Sequence, residues 1–387
     1  MAILLAPIFL CILLKISISA TSLTELPESA DGGFVYSGSD VGSDEILNAA
    51  PNEVKELLPD GFDPNDPEKM LEIYTPSYFL QVIWRIVKSS LSPALRILSS
   101  ILGIIIISAT VNSFSGLTQE GALSGVVGFV SSLCILLTVY SFVSEIINNV
   151  SEYLQNISNM MNILLPVMTA IGLAGGNISG TAVASQGMLL ILSFIGVLSG
   201  QIFFPTVRVC FALSAAGGLG AGRFGFRIDA VSKFVRQIMG TMLALIAAII
   251  SAVMTFQNSI AASADSLSMR AVRFTTSNAI PVAGGIASDA VGMVAGSLSA
   301  VKKNTGWIGI IIIMLITLPI IVKILLSRLG MTISSMVAGV LGLDRERAIL
   351  DDISGLLGYV CAVCVIIGLM IVYSLVIISN TSAAYSM

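Results

Sequence analysis

Residues 306–322 read GWIGIIIIMLITLPIIV, and residues 355–378 read GLLGYVCAVCVIIGLMIVYSLVII; neither run contains a charged side chain. A hydrocarbon layer about 30 Å thick requires apolar stretches of about 20 residues, because backbone polar groups in lipid must be satisfied within a helix or a closed barrel. These runs are continuous and do not alternate as barrel strands do. They predict an all-α membrane protein, a polytopic helical bundle of about seven to ten spans.

Further apolar stretches extend this prediction along the chain. The candidate spans are residues 97–114, 122–146, 160–175, 184–204, 206–221, 237–257, 280–299, 306–322, 324–342 and 355–378. Those at 160–175, 206–221, 280–299 and 324–342 are short or rich in Gly, Ala and Ser, a composition typical of helix contacts and of re-entrant segments.

The composition excludes several classes of protein. Hydrophobic residues make up 55% of the chain and charged residues 11%, too few charges for an ordinary soluble domain. The chain has no histidine, which removes the usual general base and the commonest metal ligand. All five cysteines lie in apolar runs, and the spacing of Cys361 and Cys364 is better explained by buried packing than by redox chemistry.

The N-terminal part has three predicted regions. Residues 1–20 resemble a signal peptide, since an apolar run precedes the small residues Ser17 to Ala20. Residues 21–75 hold thirteen acidic and two basic residues and are predicted to be extracytoplasmic; the rest of the chain is mildly basic and offers no footprint for nucleic acid. Residues 76–96 are amphipathic and predict a helix on the membrane surface. The first two spans, within 97–146, follow.

Two prolines suggest an internal duplication. Leu164-Leu-Pro166-Val recurs as Ala279-Ile-Pro281-Val, and Pro205 recurs at a similar offset as Pro319. On this hypothesis residues 160–257 and 280–378 are two same-direction repeats of four elements each, separated by a polar loop at 258–279 and followed by a tail at 379–387. Chance similarity between apolar helices is the alternative explanation.

The duplication makes Arg208 and Lys323 equivalent cations close behind a membrane proline. Ionisable groups at membrane depth are costly and usually functional, so the pair is a candidate lining of a polar path. Snorkelling of each side chain to the membrane surface explains them equally well. Counting ten spans from an extracytoplasmic start places both Lys302 with Lys303 and Arg345 with Arg347 in the cytoplasm.

The stretch from Asn258 to Gly306 carries a family resemblance. Its two segments, LSMRAVRFTTSNAIPVAG at 267–284 and SLSAVKKNTG at 297–306, are similar to the central part of stage III sporulation protein AE. The candidate partner-contact or polar-path residues are Arg208, Lys323, Arg270, Arg273, Pro281 and Asp289. The sequence assigns no catalytic, cofactor-binding or metal-ligating residue and predicts no cofactor.

The resemblance implies a subunit of a channel or secretion-like complex that supports forespore development. The complex would lie in the mother-cell membrane facing the forespore, and its other members would be stage III A sporulation proteins and, through them, stage II sporulation protein Q. An independent secondary transporter, with its site between the two repeats, is the alternative. An intramembrane enzyme has little support, because only Asp229, Asp265 and Asp289 lie near candidate spans, without a protease motif.

Overall fold

The computed structural model describes residues 43–59, 62, 76–115, 121–174, 178–220, 233–235, 237–245, 248, 252 and 284–380. Within these ranges the secondary structure is helical. The elements are α1 (Ser43–Ala49), α2 (Asn52–Lys55), α3 (Pro76–Ser115), α4 (Gly121–Ala174), α5 (Ile178–Val197), a π-helical segment (Leu198–Phe203), α6 (Phe204–Gly220), α7 (Gly284–Val340) and α8 (Asp344–Asn380). Five helical segments in this part of the chain are long and apolar enough to cross a membrane, which confirms the all-α polytopic fold.

The helices are longer than the predicted spans. α4 has 54 residues and α7 has 57, about 80 and 85 Å at 1.5 Å per residue. The spans predicted at 306–322 and 324–342 form one helix, and so do those at 122–146 and 160–175. The polar residues taken as loops do not end a helix, because Asn, Glu and Lys lower helix propensity only slightly.

α3 joins two regions that the sequence analysis had separated. The amphipathic stretch 76–96 and the predicted span 97–114 are one 40-residue helix, with Pro93 inside it. The N-terminal part of α3 therefore continues in the same helix as the span. Its start packs beside α2, where Tyr78 Oη donates to the Leu57 carbonyl at 2.9 Å and Arg85 Nη1 donates to the Glu56 carbonyl at 3.0 Å.

α7 and α8 form an antiparallel hairpin at the centre of the fold. The end of α8 lies against the middle of α7, as at Ser379 and Gly306, and the contacts between the two helices continue from there to the turn. Of the span windows in α7 and α8, 78% and 83% of residues are buried, against 17% in α3. The two most apolar stretches of the sequence are therefore surrounded mainly by protein.

The turn between α7 and α8 is closed by a glycine in the left-handed region. Gly342 has φ 73°, and its amide donates to the Gly339 carbonyl at 3.2 Å. The Leu343 amide donates to the Ala338 carbonyl at 2.9 Å. This pair of bonds is a Schellman motif, which satisfies the last carbonyls of α7 and needs glycine at the position of positive φ.

α3 and α4 run alongside this hairpin. Met168 near the end of α4 lies against Gly306, whereas Gly128 near its start lies against Arg345 beside the turn. Because only residues 116–120 separate α3 from α4, α3 also ends near the turn, and it passes Gly330 at Ala94 and Leu98. α3 and α7 therefore run toward the turn, and α4 and α8 run away from it.

The long bundle has two unlike halves, which we name the turn half and the far half. In the turn half the exposed large side chains are apolar: Ile106, Ile107 and Val111 on α3, Phe129, Leu133 and Leu137 on α4, and Leu329, Ile333, Met336 and Val340 on α7. In the far half α4 instead exposes a polar stripe: Glu145, Asn148, Glu152, Gln155, Asn159 and Asn162. The turn half therefore suits lipid, and the α4 side of the far half suits water.

Candidate functional site

The α7–α8 interface changes character in the turn half. Four successive contacts there involve polar side chains or glycine: Gly339 with Arg347, Ser335 with Asp351, Thr332 with Ser354, and Arg328 with Gly358. We name these eight residues the polar seam. The residues of α7 recur at spacings of four, three and four, which keeps them on the face that meets α8. The apolar residues Leu329, Ile333, Met336 and Val340 lie one position further along and point outward.

Asp351 receives two contacts within the seam. Ser335 Oγ donates to Asp351 Oδ1 at 2.5 Å, and Arg347 Nε lies 3.8 Å from Asp351 Oδ2. The side chains of Arg347 and Asp351 are 56% and 41% exposed, so this ion pair contributes little stability by itself. The hydrogen bond from Ser335 is the contact that connects the two helices here.

Arg328 is an isolated cation in the hairpin interface. A methyl group at Gly358 would lie 3.0 Å from Arg328 Cζ and 3.1 Å from its Nη1, so the guanidinium occupies the space that glycine leaves. The Nη1 atom is buried and finds no hydrogen-bond acceptor among the described residues. Tyr359, the next residue, stacks on Phe203 of the π-helical segment with ring centroids 5.9 Å apart.

Two carboxylates are buried where α8 begins. Glu346 is 2% exposed, and its Oε1 has no hydrogen-bond partner within the described part of the chain; Asp352 is 4% exposed and has other interactions. Glu346 lies in the first turn of α8, where the helix dipole favours a negative charge. Ionisable groups next to a lipid-facing surface are costly to keep, so the seam and these carboxylates are the candidate functional site.

The structure gives the predicted site residues different surroundings. Arg208 is exposed on α6, and Lys323 is half-buried on α7. Pro205 is the second residue of α6, after the π-helical segment, whereas Pro319 lies deep inside α7. The local geometry therefore does not repeat at this proline pair, and the functional pairing of the two cations stays a prediction.

The remaining predicted residues are only partly covered. Arg270, Arg273 and Pro281 lie outside the described residues, and Asp289 is described only as part of the α7 backbone. Residues 344–352, which lie between the candidate spans 324–342 and 355–378, form the first turns of α8. Arg328 was not among the predicted site residues, although a lone arginine within a long apolar stretch was a usable signal.

The described residues offer little space for a solute. A cavity of about 10 Å³ lies between α4, α5 and α8, lined by Met161, Met168, Met188, Ser185 and Leu375 among others. A volume of this size holds about one water molecule. In the same ranges no group of three or more Cys, Asp or Glu side chains is arranged to hold a metal ion.

The protein is a polytopic α-helical membrane protein. Its long apolar helices surround a central hairpin, and the polar seam lies in the lipid-facing half. Residues 71–382 match the family of stage III sporulation protein AE, and the chain belongs to this family. It is 25% identical over 261 residues to stage III sporulation protein AE of Bacillus subtilis (strain 168), covering 67% of this chain and 64% of that protein, slightly less than two thirds. No solved structure matches the chain.

Family membership confirms the resemblance drawn from residues 267–306 and assigns the protein to sporulation. It does not name a reaction, since the family is described by its developmental stage rather than by an enzyme activity. The role within sporulation has to be argued from the surfaces and charges of the molecule.

Proposed function

We propose that the protein is a membrane subunit of a channel or secretion-like complex that links the mother cell to the forespore and supports forespore development. The observation that carries this proposal is the division of the bundle into a lipid-facing turn half and a polar far half. On α4 the polar stripe from Glu145 to Asn162 is about 25 Å long and would lie outside the bilayer. A protein that only moved a small solute across one bilayer would not need this length of water-exposed helix. A subunit of an assembly between two membranes would need it.

The charges support one orientation. Arg345 and Arg347 lie at the turn, and exposed Lys233 begins a helical stretch whose Met239 packs on Gly355 of α8. Basic residues near span ends favour the cytoplasm, so the turn end is the mother-cell cytoplasmic end. Glu56 and Leu57, which follow α2 in the acidic N-terminal segment, accept hydrogen bonds from the first part of α3, and this supports a far half that lies in the space facing the forespore.

This orientation changes one expectation from the sequence. Lys302 and Lys303 were predicted on the same side as Arg345 and Arg347, because two spans were counted between them. Since α7 is one continuous helix from Gly284 to Val340, a single crossing puts these two basic groups on opposite sides. The proposal keeps Arg345 and Arg347 in the cytoplasm.

The proposed partners are the other stage III A sporulation proteins and, through the complex, stage II sporulation protein Q on the forespore side. A scaffold or pore role needs no catalytic residue. The proposed location is the mother-cell membrane around the forespore.

Co-purification tests the proposal. A tagged copy is isolated from detergent-solubilised sporulating cells, and the other stage III A proteins are quantified by mass spectrometry against an unrelated tagged polytopic protein expressed at the same stage. Enrichment of the stage III A proteins is the expected result. A partner-free protein from cells that express those proteins would contradict the proposal.

An independent transporter is the second candidate. The polar seam and the buried Glu346 next to it are the observation in its favour. Buried Glu346 and the partly buried Arg328 beside a lipid-facing surface resemble the ionisable groups that transporters keep at membrane depth. Purified protein in vesicles would then move a solute or ion without partners. We expect no such flux from the protein alone, and flux that disappears in Glu346→Gln would favour the transporter instead.

A further inference from the structure

The N-terminal part of α3 carries an apolar stripe that the described residues leave exposed. Leu80 and Trp84 are 65% and 71% exposed, and Leu91 and Leu95 continue the same face at 42% and 51%. The opposite side of this part of the helix is buried, with Val82 and Ile86 packed into the core. α3 therefore contacts the protein through one face and offers a second apolar face to another molecule.

With the membrane at the proposed position in the turn half, the beginning of this stripe lies beyond the hydrocarbon layer. Arg96 is exposed and is the last charge before the uncharged part of α3, and Trp84 precedes it by a helical distance of about 18 Å. The polar headgroup layer adds only about 5–8 Å on each side of the hydrocarbon. Leu80 and Trp84 stand in the far half, beside exposed Gln81, where water would surround them.

Basic side chains line one edge of the stripe. Arg85, Lys88 and Arg96 are all exposed and follow the apolar residues around the helix. A second copy of the chain is a poor occupant, because a symmetric contact is self-complementary and would set this basic edge against itself. The chain's own residues 21–42 are acidic, but Pro27 and four glycines make them poorly suited to a helix that matches the stripe.

We propose that the stripe formed by Leu80, Trp84, Leu91 and Leu95 is a docking surface for an acidic amphipathic helix of a partner protein in the space between the two membranes. The apolar side chains repeat at spacings that a helix can match over about 20 Å, and the basic edge selects a partner with carboxylates on the corresponding edge. The inference deepens the proposed function, because it names the surface through which this subunit joins its complex. Trp84 is the central anchor, as buried tryptophan often is at interfaces.

Photo-crosslinking in sporulating cells tests the surface directly. p-Benzoyl-phenylalanine replaces Trp84, and the matched control carries it at Ile107, which is 67% exposed in the lipid-facing turn half. We expect the probe at 84 to form an adduct with a peptide of another protein, one that carries acidic residues at helical spacing, and the probe at 107 to label lipid. Adducts at 84 with lipid, with a second copy, with residues 21–42 or with a non-acidic segment would overturn the proposal.

Charge reversal gives an independent measure. Lys88→Glu is preferable to a change at Arg85, because Arg85 donates a hydrogen bond to the Glu56 carbonyl within the fold. The variant should lower the adduct yield about two- to fivefold, the range expected for an exposed ion pair. Asn159→Glu, which adds a negative charge on α4 away from the stripe, should leave the yield unchanged, and equal yields for both variants would contradict the basic-edge argument.

The two proposals fail separately. If the stage III A proteins co-purify but the probe at 84 labels only lipid, the complex stands and the docking surface is wrong. If they do not co-purify but the probe at 84 captures an acidic helix of an unrelated membrane protein, the surface is used outside that complex.

Discussion

Gly368 lies where α4, α7 and α8 approach closely, and replacing it with alanine should destabilise the protein. A methyl group there would lie 2.8 Å from Thr317 Cγ2, 3.1 Å from Thr317 Oγ1 and 3.3 Å from Tyr153 Oη. Thr317 cannot turn away easily, because it is β-branched and its Oγ1 donates to the Ile313 carbonyl at 2.7 Å. Tyr153 is held as well, since its hydroxyl donates to the Cys364 carbonyl at 3.0 Å.

The sign of the effect follows from two opposing contributions. Overpacking of this kind costs about 1–3 kcal/mol, and removing glycine from a helix interior returns up to about 1 kcal/mol. Gly368→Ala should therefore lower the free energy of unfolding by as much as about 2 kcal/mol. Gly103→Ala is the matched control, because no atom lies within 4 Å of the new methyl group, and it should be neutral or stabilising by up to about 1 kcal/mol.

Thermal unfolding in detergent measures the difference. Cys361 and Cys364 are buried and free, so a thiol-reactive dye reports their exposure on unfolding. Cys134, which is exposed, is replaced by serine in every variant, and so is Cys11, to remove background reaction with the dye. At about 2–4 °C per kcal/mol, Gly368→Ala should melt several degrees below Gly103→Ala. Equal midpoints, or a higher one for Gly368→Ala, would refute the close-packing argument.

Three further predictions concern single contacts and the position of the membrane. Tyr153→Phe removes the buried hydrogen bond to α8 and should lower the free energy of unfolding by about 1 kcal/mol in the same assay. In intact membranes Cys134 should react with a lipid-soluble maleimide but poorly with a charged one, whereas Asn159→Cys should react readily with the charged reagent; the reverse pattern would move the membrane to the far half. In hydrogen exchange, residues 329–343 should lose protection before residues 308–318, because polar contacts replace apolar ones in that part of α7.

Hydropathy predicted the helical membrane fold correctly because long uncharged runs admit few other structures. It did not distinguish a helix in lipid from a helix in a protein core, since both are apolar on all sides. The runs at 306–322 and 355–378 were among the strongest predicted spans, yet they lie in helices of which 78% and 83% of the span window is buried inside the protein. Which apolar residues meet lipid depends on α3 and α4, and their packing cannot be read from local composition.

The predicted helix ends were wrong for a different reason. Polar residues between 148 and 159 separated two predicted spans, but in α4 these positions alternate between the buried face and an exposed stripe of Asn, Gln and Glu. A helix with one wet face needs no interruption there. The true ends coincide with specific backbone requirements, as at Gly342, where a positive φ closes the turn.

The candidate site was predictable only in part. The charges in residues 344–352, including the basic pair Arg345 and Arg347, were evident in the sequence. The residues of α7 that contact this part of α8 were not. Arg328, Thr332, Ser335 and Gly339 look unremarkable in sequence, because small polar residues are common in membrane helices. Their shared face becomes meaningful only when α8 is known to lie against it.

The hairpin thus combines two kinds of interface in one pair of helices. In the far half, glycine lets Thr317 of α7 and Ser379 of α8 approach the opposite helix closely, and each fully buried apolar side chain there stabilises the contact by about 1.5–3 kcal/mol. In the turn half, hydrogen bonds between Ser335 and Asp351 or Thr332 and Ser354 contribute about 1 kcal/mol each. Separation of the two helices is therefore easiest at the turn, within the lipid-facing half and beside Arg328 and Glu346.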